Sequence, residues 1–407
     1  MKKTKGGKLM STQLSSRMKN ISASATTALF ARVDDMKISG IDVISLNVGE
    51  PDFPTPENIK AAGIKAIEDD FTKYTNARGI APLREAILKK VKEDNGAEYT
   101  MDEVTVTTGA KQSLSAALMA VVGDGDEVII PVPCYVSYPD IVRLAGGTPV
   151  FVRRNDDFSL DLEAIAGAVT SNTKAIIICS PDNPTGAVYS EESLRKLADI
   201  AVENDFFIVS DEIYEKIIFS GNKHFSLSSI PEIRDRVILV NGFSKTYSMT
   251  GWRLGYLCAR KDVISNAVKV QSQTTTTPPS ISQIAAVEAL TGPQDSVSEM
   301  VAEFEKRKDF VVKELNAIPG VKCHDIQGAF YAFFDLRSYI GSTTEDGKVI
   351  ENDSMLCEYL LENSHVAIMP GSAYFAPGYA RISFASSMEV LKKALQRIKL
   401  GLNALKC

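Results

Sequence analysis

The chain is poor in the residues from which metal centres and hydrolytic triads are built. It has three histidines, His224, His324 and His365, far apart in sequence. A histidine-based metal site or a Ser-His-Asp triad would have to be assembled wholly from distance, with no local spacing to mark it. Its six cysteines, Cys134, Cys179, Cys258, Cys323, Cys357 and Cys407, form no CxxC pair. They read as reduced, mostly buried thiols of a cytoplasmic protein. No apolar run approaches the ~18 residues of a membrane helix. The basic start, Met1 to Met10, lacks the apolar segment of a signal peptide and reads as a disordered tail over residues 1–12. Positive charge is not in surplus. A net charge of −6 argues against nucleic acid or an anionic membrane as the main partner. Neither GxGxxG nor GxxxxGK[ST] occurs, since Gly341 and Gly347-Lys348 enclose five residues rather than four. Internal repeats and low-complexity linkers are also lacking.

What is present is an ordinary globular composition, 44% hydrophobic and 24% charged, over 407 residues. That length suggests roughly two domains. Short apolar runs recur at Val104–Thr107, Glu127–Ile130, Pro149–Val152, Ala175–Cys179, Phe206–Val209, Val237–Val240 and Leu254–Cys258. Several are apolar without alternation, the pattern of strands buried on both faces. The fold class expected is α/β, with a large domain over 46–295 holding a seven-stranded, mostly parallel sheet flanked by helices. The style changes near Thr291. A long charged helix at Ser296–Leu315, strands at Ala329–Phe334 and Ala380–Ala385, and helices near 352–364 and 387–402 predict a smaller α+β domain over 296–407. Residues 13–45 are expected to pack with that smaller domain.

The polar motifs follow the apolar runs, where open α/β sheets bind ligands. After Val237–Val240 comes Asn241-Gly-Phe-Ser-Lys-Thr-Tyr-Ser-Met-Thr-Gly-Trp-Arg-Leu-Gly-Tyr256. Lys245 at such an edge is placed for a carbonyl, because a desolvated lysine loses its proton readily and a neutral one forms Schiff bases. Arg253 offers a permanent cation suited to phosphate. The alternative is a strand end carrying two solvated cations. After Val104–Thr107, Gly109-Ala-Lys-Gln112 feeds a helix whose first N–H groups suit an anion. Tyr135, in Pro131-Val-Pro-Cys-Tyr135, could lie over a flat ring. Ser180-Pro-Asp-Asn-Pro-Thr-Gly186 is a proline-fixed turn that could take a cis bond before Pro184, and its Asn183 could donate to a phenolate-like oxygen. In Ser210-Asp-Glu-Ile-Tyr214, Asp211 could hold a pyridinium nitrogen, while Glu212 points the other way as a solvated or paired acid. Arg381 interrupts the apolar run Ala380-Arg-Ile-Ser-Phe-Ala385, which calls for an anionic partner, either a structural acid or a substrate carboxylate.

Taken together, these motifs resemble the fold-type I aminotransferases that depend on pyridoxal 5′-phosphate (PLP), and among them the class I/II aspartate/aromatic group. The resemblance runs from about Ile21 to the C-terminal helix, with every motif in the family's order. Its most specific part is Ser244-Lys-x-x-x-x-x-x-Gly-x-Arg-x-Gly255, with Asn-Pro-Thr-Gly and Asp-x-x-Tyr ahead of it. It implies that Lys245 bonds the cofactor aldehyde and moves the proton between Cα and C4′. Asp211 would pair with the ring nitrogen, Asn183 and Tyr214 would contact O3′, and Tyr135 would stack on the ring. Gly109, Ala110, Lys111, Ser244 and Arg253 would surround the phosphate. Tyr74 would reach the phosphate of the neighbouring subunit, which implies a homodimer. Arg381 would bind the substrate α-carboxylate, with Gly49, Asn183 and Tyr135 beside it.

Two departures stand out. Gly242 replaces a hydroxyl residue that many members use on the phosphate, and 270–292 has no arginine of the kind that reads a distal carboxylate across the subunit interface. The bacterial aspartate/prephenate branch shares this lack, and its N-terminal segment is matched by Ser24 and Thr26, which are expected at the distal carboxylate. The reaction expected is transfer of the amino group of L-aspartate to 2-oxoglutarate by a ping-pong mechanism. Aromatic or prephenate-type donors come second, on the strength of Phe330 and Tyr331 as a possible apolar wall. A PLP-dependent C–S lyase or a cyclopropane-forming synthase is the rival within the same chemistry. A DNA-binding regulator is disfavoured, because only about forty residues precede Gly49 and the charge is negative.

Overall fold

The computed structural model describes residues 15–22, 25–219 and 221–406. All seven expected apolar runs become strands of one sheet. In chain order the strands are Ile44–Ser45 (β1), Val104–Thr107 (β2), Glu127–Val132 (β3), Thr148–Arg153 (β4), Thr173–Cys179 (β5), Phe207–Asp211 (β6), Val237–Gly242 (β7) and Gly255–Cys258 (β8). Then follow Lys322–Cys323 (β9), Tyr331–Asp335 (β10), Val366–Ala367 (β11), Met369–Pro370 (β12) and Tyr379–Ser383 (β13). The large sheet has the order β2-β8-β7-β6-β5-β3-β4. Its pairs from β4 through β7 are parallel, and β8 runs antiparallel to both β7 and β2. Helices cover both faces, and β2, β7 and β8 are buried along their whole length. That double burial is why a strand such as β7 opens as an unbroken apolar run, Val237-Ile-Leu-Val240, rather than an alternating one.

Sequence order along the parallel strands reverses beside β3, with β4 on one side and β5 on the other. Such reversals open a crevice at the carboxyl edge of a sheet. Because β8 is antiparallel to its neighbours, its beginning lies at that same edge. Gly255 is in register with Thr107 and with Gly242, so the segments after β2 and β7 and the segment before β8 converge there.

The second sheet, β12-β13-β10-β9, is antiparallel and packs with the helices Asp295–Asn316, Asp353–Ser364 and Met388–Asn403. The two strands expected in this region start and stop within two residues of their observed bounds. The helix Ala25–Ile38 lays Leu29, Val33 and Met36 near Leu361 and Ala367, and Arg32 pairs with Glu358 and Glu362. β1 then pairs in parallel with β11, and Leu46 accepts a hydrogen bond from the Ser383 amide at 2.7 Å. These ties carry Asn47 to Gly49 alongside β13. No described helix is long and apolar enough to cross a membrane.

Candidate active site

A cavity of about 330 Å³ opens at the carboxyl edge of the large sheet. It is lined by Gly49, Ala110, Lys111, Tyr135, Asn183, Asp211, Tyr214, Ser244, Lys245, Arg253 and Arg381, so most of the expected site residues meet in one place. They come from the ends of β2, β3, β5, β6 and β7, the segment before β8, the stretch after β1 and the second sheet, and the topology brings these together.

Lys245 stands three residues past β7, in a turn that cannot continue the strand. It is half-buried, and it faces the cavity it lines. Its ammonium donates to the Gly49 carbonyl at 2.5 Å and lies 6.0 Å from the centre of the Phe330 ring. Burial, with Arg381 and Arg253 adding to it, lowers its pKa to about 8, although Glu50 and Asp211 pull the other way. A lysine with that pKa is a usable nucleophile and proton carrier near neutral pH.

Asp211 ends β6 and is buried. Its carboxylate accepts from the Tyr138 hydroxyl at 2.8 Å and from the Ile213 amide at 3.3 Å. Burial raises its pKa to about 6 despite these two donors. A buried carboxylate with spare acceptor capacity is suited to a cationic N–H. Glu212, next in the chain, turns to the opposite side and is fully paired. It accepts from Ser210 and Ser226 at 2.8 Å each and from Asn95 at 2.9 Å, and it contacts His224 at 2.8 Å. Glu212, Glu215 and His224 lie close enough together to hold a cation, but Lys90 already bonds Glu215 and Asn95, so the cluster carries its own.

Arg253 and the first turn of the helix Ala110–Val121 form an anion cradle. Helix geometry leaves the Ala110 and Lys111 amides without partners inside the helix, while those of Gln112 and Ser113 donate to the Gly109 carbonyl. Gly109, at φ 89°, does not line the cavity, and a Cβ there would run into the Arg253 guanidinium. A Cβ on Gly255 would strike the Ala110 amide. Two glycines thus let the guanidinium and the helix end approach one another. Arg253 itself adopts a left-handed backbone, φ 56°, which costs roughly 1–2 kcal/mol and is the kind of strain that gathers at functional sites. Arg253 and Lys111 are both exposed in the single chain, so this end of the cavity is open.

Arg381 marks the closed end. Among the described residues it has no acidic partner within ion-pair distance, which removes the structural ion pair as its explanation. It donates to the Asn47 carbonyl at 2.7 Å and to the Asn183 side-chain oxygen at 3.0 Å. The Tyr331 ring lies 4.3 Å and the Tyr374 ring 5.0 Å from its guanidinium carbon. Asn183 is therefore an acceptor here, with its NH₂ left for other use.

The turn that carries Asn183 rests on a buried ion pair that local sequence does not reveal. Arg154 donates to Asp182 at 2.9 Å, and the other Asp182 oxygen accepts from the Thr185 hydroxyl at 2.6 Å. The cis bonds of the chain precede Pro133 and Pro181, not Pro184. Arg154→Met would leave Asp182 buried without its cation. A loss of about 3–5 kcal/mol in denaturant unfolding is expected; an unchanged midpoint would show that the pair is dispensable.

Some expectations fall elsewhere. Tyr74 is 86% exposed and outside its own chain's cavity. Ser24 lies outside the described residues. Thr26 falls in the helix Ala25–Ile38, but its side chain is not described. Phe330 does not line the cavity: it is buried behind Tyr331, against Phe304 and Tyr214. Tyr331 does line it, but its hydroxyl pairs with that of Tyr214 at 2.7 Å, so this wall is polar rather than apolar. Tyr138 and Tyr374 were not anticipated. Tyr138 opens the helix after the turn that starts at Tyr135, its amide donating to the Tyr135 carbonyl at 3.1 Å, and the two rings meet edge-on at 5.4 Å. Tyr374 carries no local signal.

Fold and comparisons define a transferase that acts on amino acids and 2-oxoacids. The chain belongs to the family "Aminotransferase class I and II", whose model matches residues 41–398. It is 46% identical over 390 residues to a protein of Rickettsia bellii described as "Probable aspartate/prephenate aminotransferase", covering 95% of this chain and 98% of that one. It is 44% identical over 388 residues to an aspartate aminotransferase of Bacillus sp. YM-2, with 95% and 98% covered. The crystal structure of an aspartate aminotransferase from Rhizobium meliloti superposes with a TM-score of 0.94 at 42% identity, covering 97% of this chain and all of that one.

Proposed function

We propose that this aminotransferase is PLP-dependent and moves the amino group of L-aspartate to 2-oxoglutarate by a ping-pong mechanism. The observation that carries the proposal is Lys245: an amine lowered to about pKa 8, in one cavity with a buried carboxylate, a helix-end anion cradle and an unpaired arginine. That donor set fits PLP, and the cradle admits a phosphate only because Gly109 and Gly255 lack side chains. When bound, PLP supplies an aldehyde for the amine and a ring that accepts electrons from the substrate Cα. Lys245 would hold the aldehyde and, once displaced by substrate, take the Cα proton on Nζ and return it. Asp211 would keep the ring nitrogen protonated, with Tyr138 fixing the carboxylate. Tyr214 and Asn183 would face the ring hydroxyl, and Tyr135 its flat side. Ala110, Lys111, Ser244 and Arg253 would hold the phosphate through backbone and side-chain donors. Arg381 would take the α-carboxylate as a two-pronged donor. Ketoacid then leaves, and a second ketoacid runs the sequence in reverse.

Only the neutral amine attacks an aldehyde, and its fraction rises with pH. Uptake of PLP by cofactor-free protein, followed by absorbance, is therefore expected to accelerate with a midpoint near pH 8. A midpoint at the ordinary lysine value, 10.5, would contradict a desolvated Lys245.

A second carboxylate needs a second donor. The sequence offers Ser24 and Thr26; the cavity adds the Lys111 side chain, which lies 5.6 Å over the Tyr135 ring and has no ion-pair partner among the described residues. Lys111→Ala is expected to raise KM for aspartate roughly tenfold or more, the scale of a lost charged hydrogen bond, and to leave KM for phenylalanine nearly unchanged. The aromatic or prephenate reading is kept because the Rickettsia relative's description includes prephenate. Steady-state rates across a panel of amino donors separate the two. If phenylalanine outruns aspartate about a hundredfold, the aspartate proposal falls.

The same proposal places the enzyme in the cytoplasm as a homodimer. The open end of the cavity, with Arg253 and Lys111 exposed, together with exposed Ile64, Ile67 and Tyr74 on one helix and the loop after it, supports a second copy covering that edge. It also divides the chain into a large domain over 46–295 and a small one over 296–407, with 13–45 folded against the latter.

A further inference from the structure

We propose that the hydroxyl of Tyr374 is a substrate-binding donor to the carboxylate held by Arg381. This rests on Arg381 being the α-carboxylate anchor. Two buried groups without a hydrogen-bond partner among the described residues lie side by side here: Tyr374 Oη and Arg381 Nε, with the Tyr374 ring 5.0 Å from the guanidinium carbon. Both can donate, so an acceptor would complete both. A buried polar atom left unmatched costs free energy, and in native structures each such atom calls for an explanation. Both residues line the cavity.

The other tyrosines of the cavity are engaged or open. Tyr138 donates to Asp211, Tyr214 and Tyr331 share a hydrogen bond, and Tyr135 is only partly buried. Tyr374 is fully buried, and its ring stays in place without the hydroxyl. It ends the turn Gly371–Tyr374, its carbonyl accepts from the Cys134 amide at 3.2 Å, and its ring packs edge-on against Phe333 at 6.0 Å. The ring that carries the hydroxyl is thus held against the Arg381 guanidinium by a rigid wall. One oxygen of a carboxylate on the Arg381 fork can accept from it, which adds a donor that an uncharged substrate group could not use as well.

The test is Tyr374→Phe in the PLP-loaded enzyme. KM for both the amino acid and the oxoacid is expected to rise about tenfold, the scale of one hydrogen bond to a charged acceptor, while kcat changes much less. Succinate should raise the melting temperature of the parent enzyme more than that of the variant. Without ligand, the variant should melt at the same temperature or higher, because phenylalanine removes an unmatched hydroxyl. Equal KM values and equal succinate shifts would overturn the inference. So would a lower ligand-free melting temperature, which would mean that the hydroxyl has a protein partner. Arg381→Lys separates the two levels. If it abolishes the succinate shift while Tyr374→Phe keeps it, only the Tyr374 assignment fails. If Arg381→Lys also keeps the shift, the anchor reading itself fails.

Discussion

Lys245→Ala is expected to lower turnover on the order of 10⁴-fold, the upper range for a group that transfers the proton, with a further loss from the missing covalent tether. The expected loss is large because nothing else in the cavity can substitute. Lys111 and Arg253 lie at its open end, and Arg381, a permanent cation, does not exchange its protons as a base near neutral pH. The fold should survive, since among the described residues the Lys245 side chain hydrogen-bonds only to the Gly49 carbonyl. A folded but colourless protein after incubation with PLP is the expected result, with partial rescue by small primary amines. Turnover near the parent level would refute the assignment of Lys245.

Asp211→Asn is expected to cost ~10²–10³-fold in kcat, the range for removing one preorganised electrostatic contact. Asparagine can still accept from Tyr138 but brings no negative charge, so it cannot hold a ring nitrogen in its cationic form. The same change should have the opposite sign on stability. The folded-state pKa of Asp211 is raised from 3.8 to about 6 by burial. The stability it contributes is therefore whole below about pH 4 and is lost as pH rises through about 6. Above that, the ionised carboxylate weighs against the fold by on the order of 3 kcal/mol. Cofactor-free Asp211→Asn should melt no lower than the parent at pH 8, and the advantage should vanish by pH 4. A large drop at pH 8 would show that the carboxylate is a structural group rather than one held in a costly state for function.

How much of this was readable in advance depends on how locally each residue is specified. The strand ends were legible, because fully buried parallel strands advertise themselves as unbroken apolar runs and the polar residues after them have nowhere else to go than the carboxyl edge. Lys245, Asp211 and Asn183 were found by that rule. Arg381 was flagged by its discord with an apolar strand. Phe330 and Tyr331, adjacent in sequence, could not be told apart, since β10 begins between them and where each side chain goes depends on what packs against that junction. The Arg154–Asp182 pair was invisible, because its partners come from segments joined only across the sheet.

The amino-acid order alone determined the seven-stranded sheet and the polar residues at each strand end, Lys245 among them, since each is written in a few contiguous residues. Tertiary structure decided the rest. It withdrew Lys245 from water and thereby lowered its pKa, assigned each polar neighbour a partner or left it without one, and brought Asn47 and Asn183 from distant segments to the stretch that carries Tyr374 and Arg381. Desolvation and pairing depend on every group nearby, and no stretch of chain carries that information by itself.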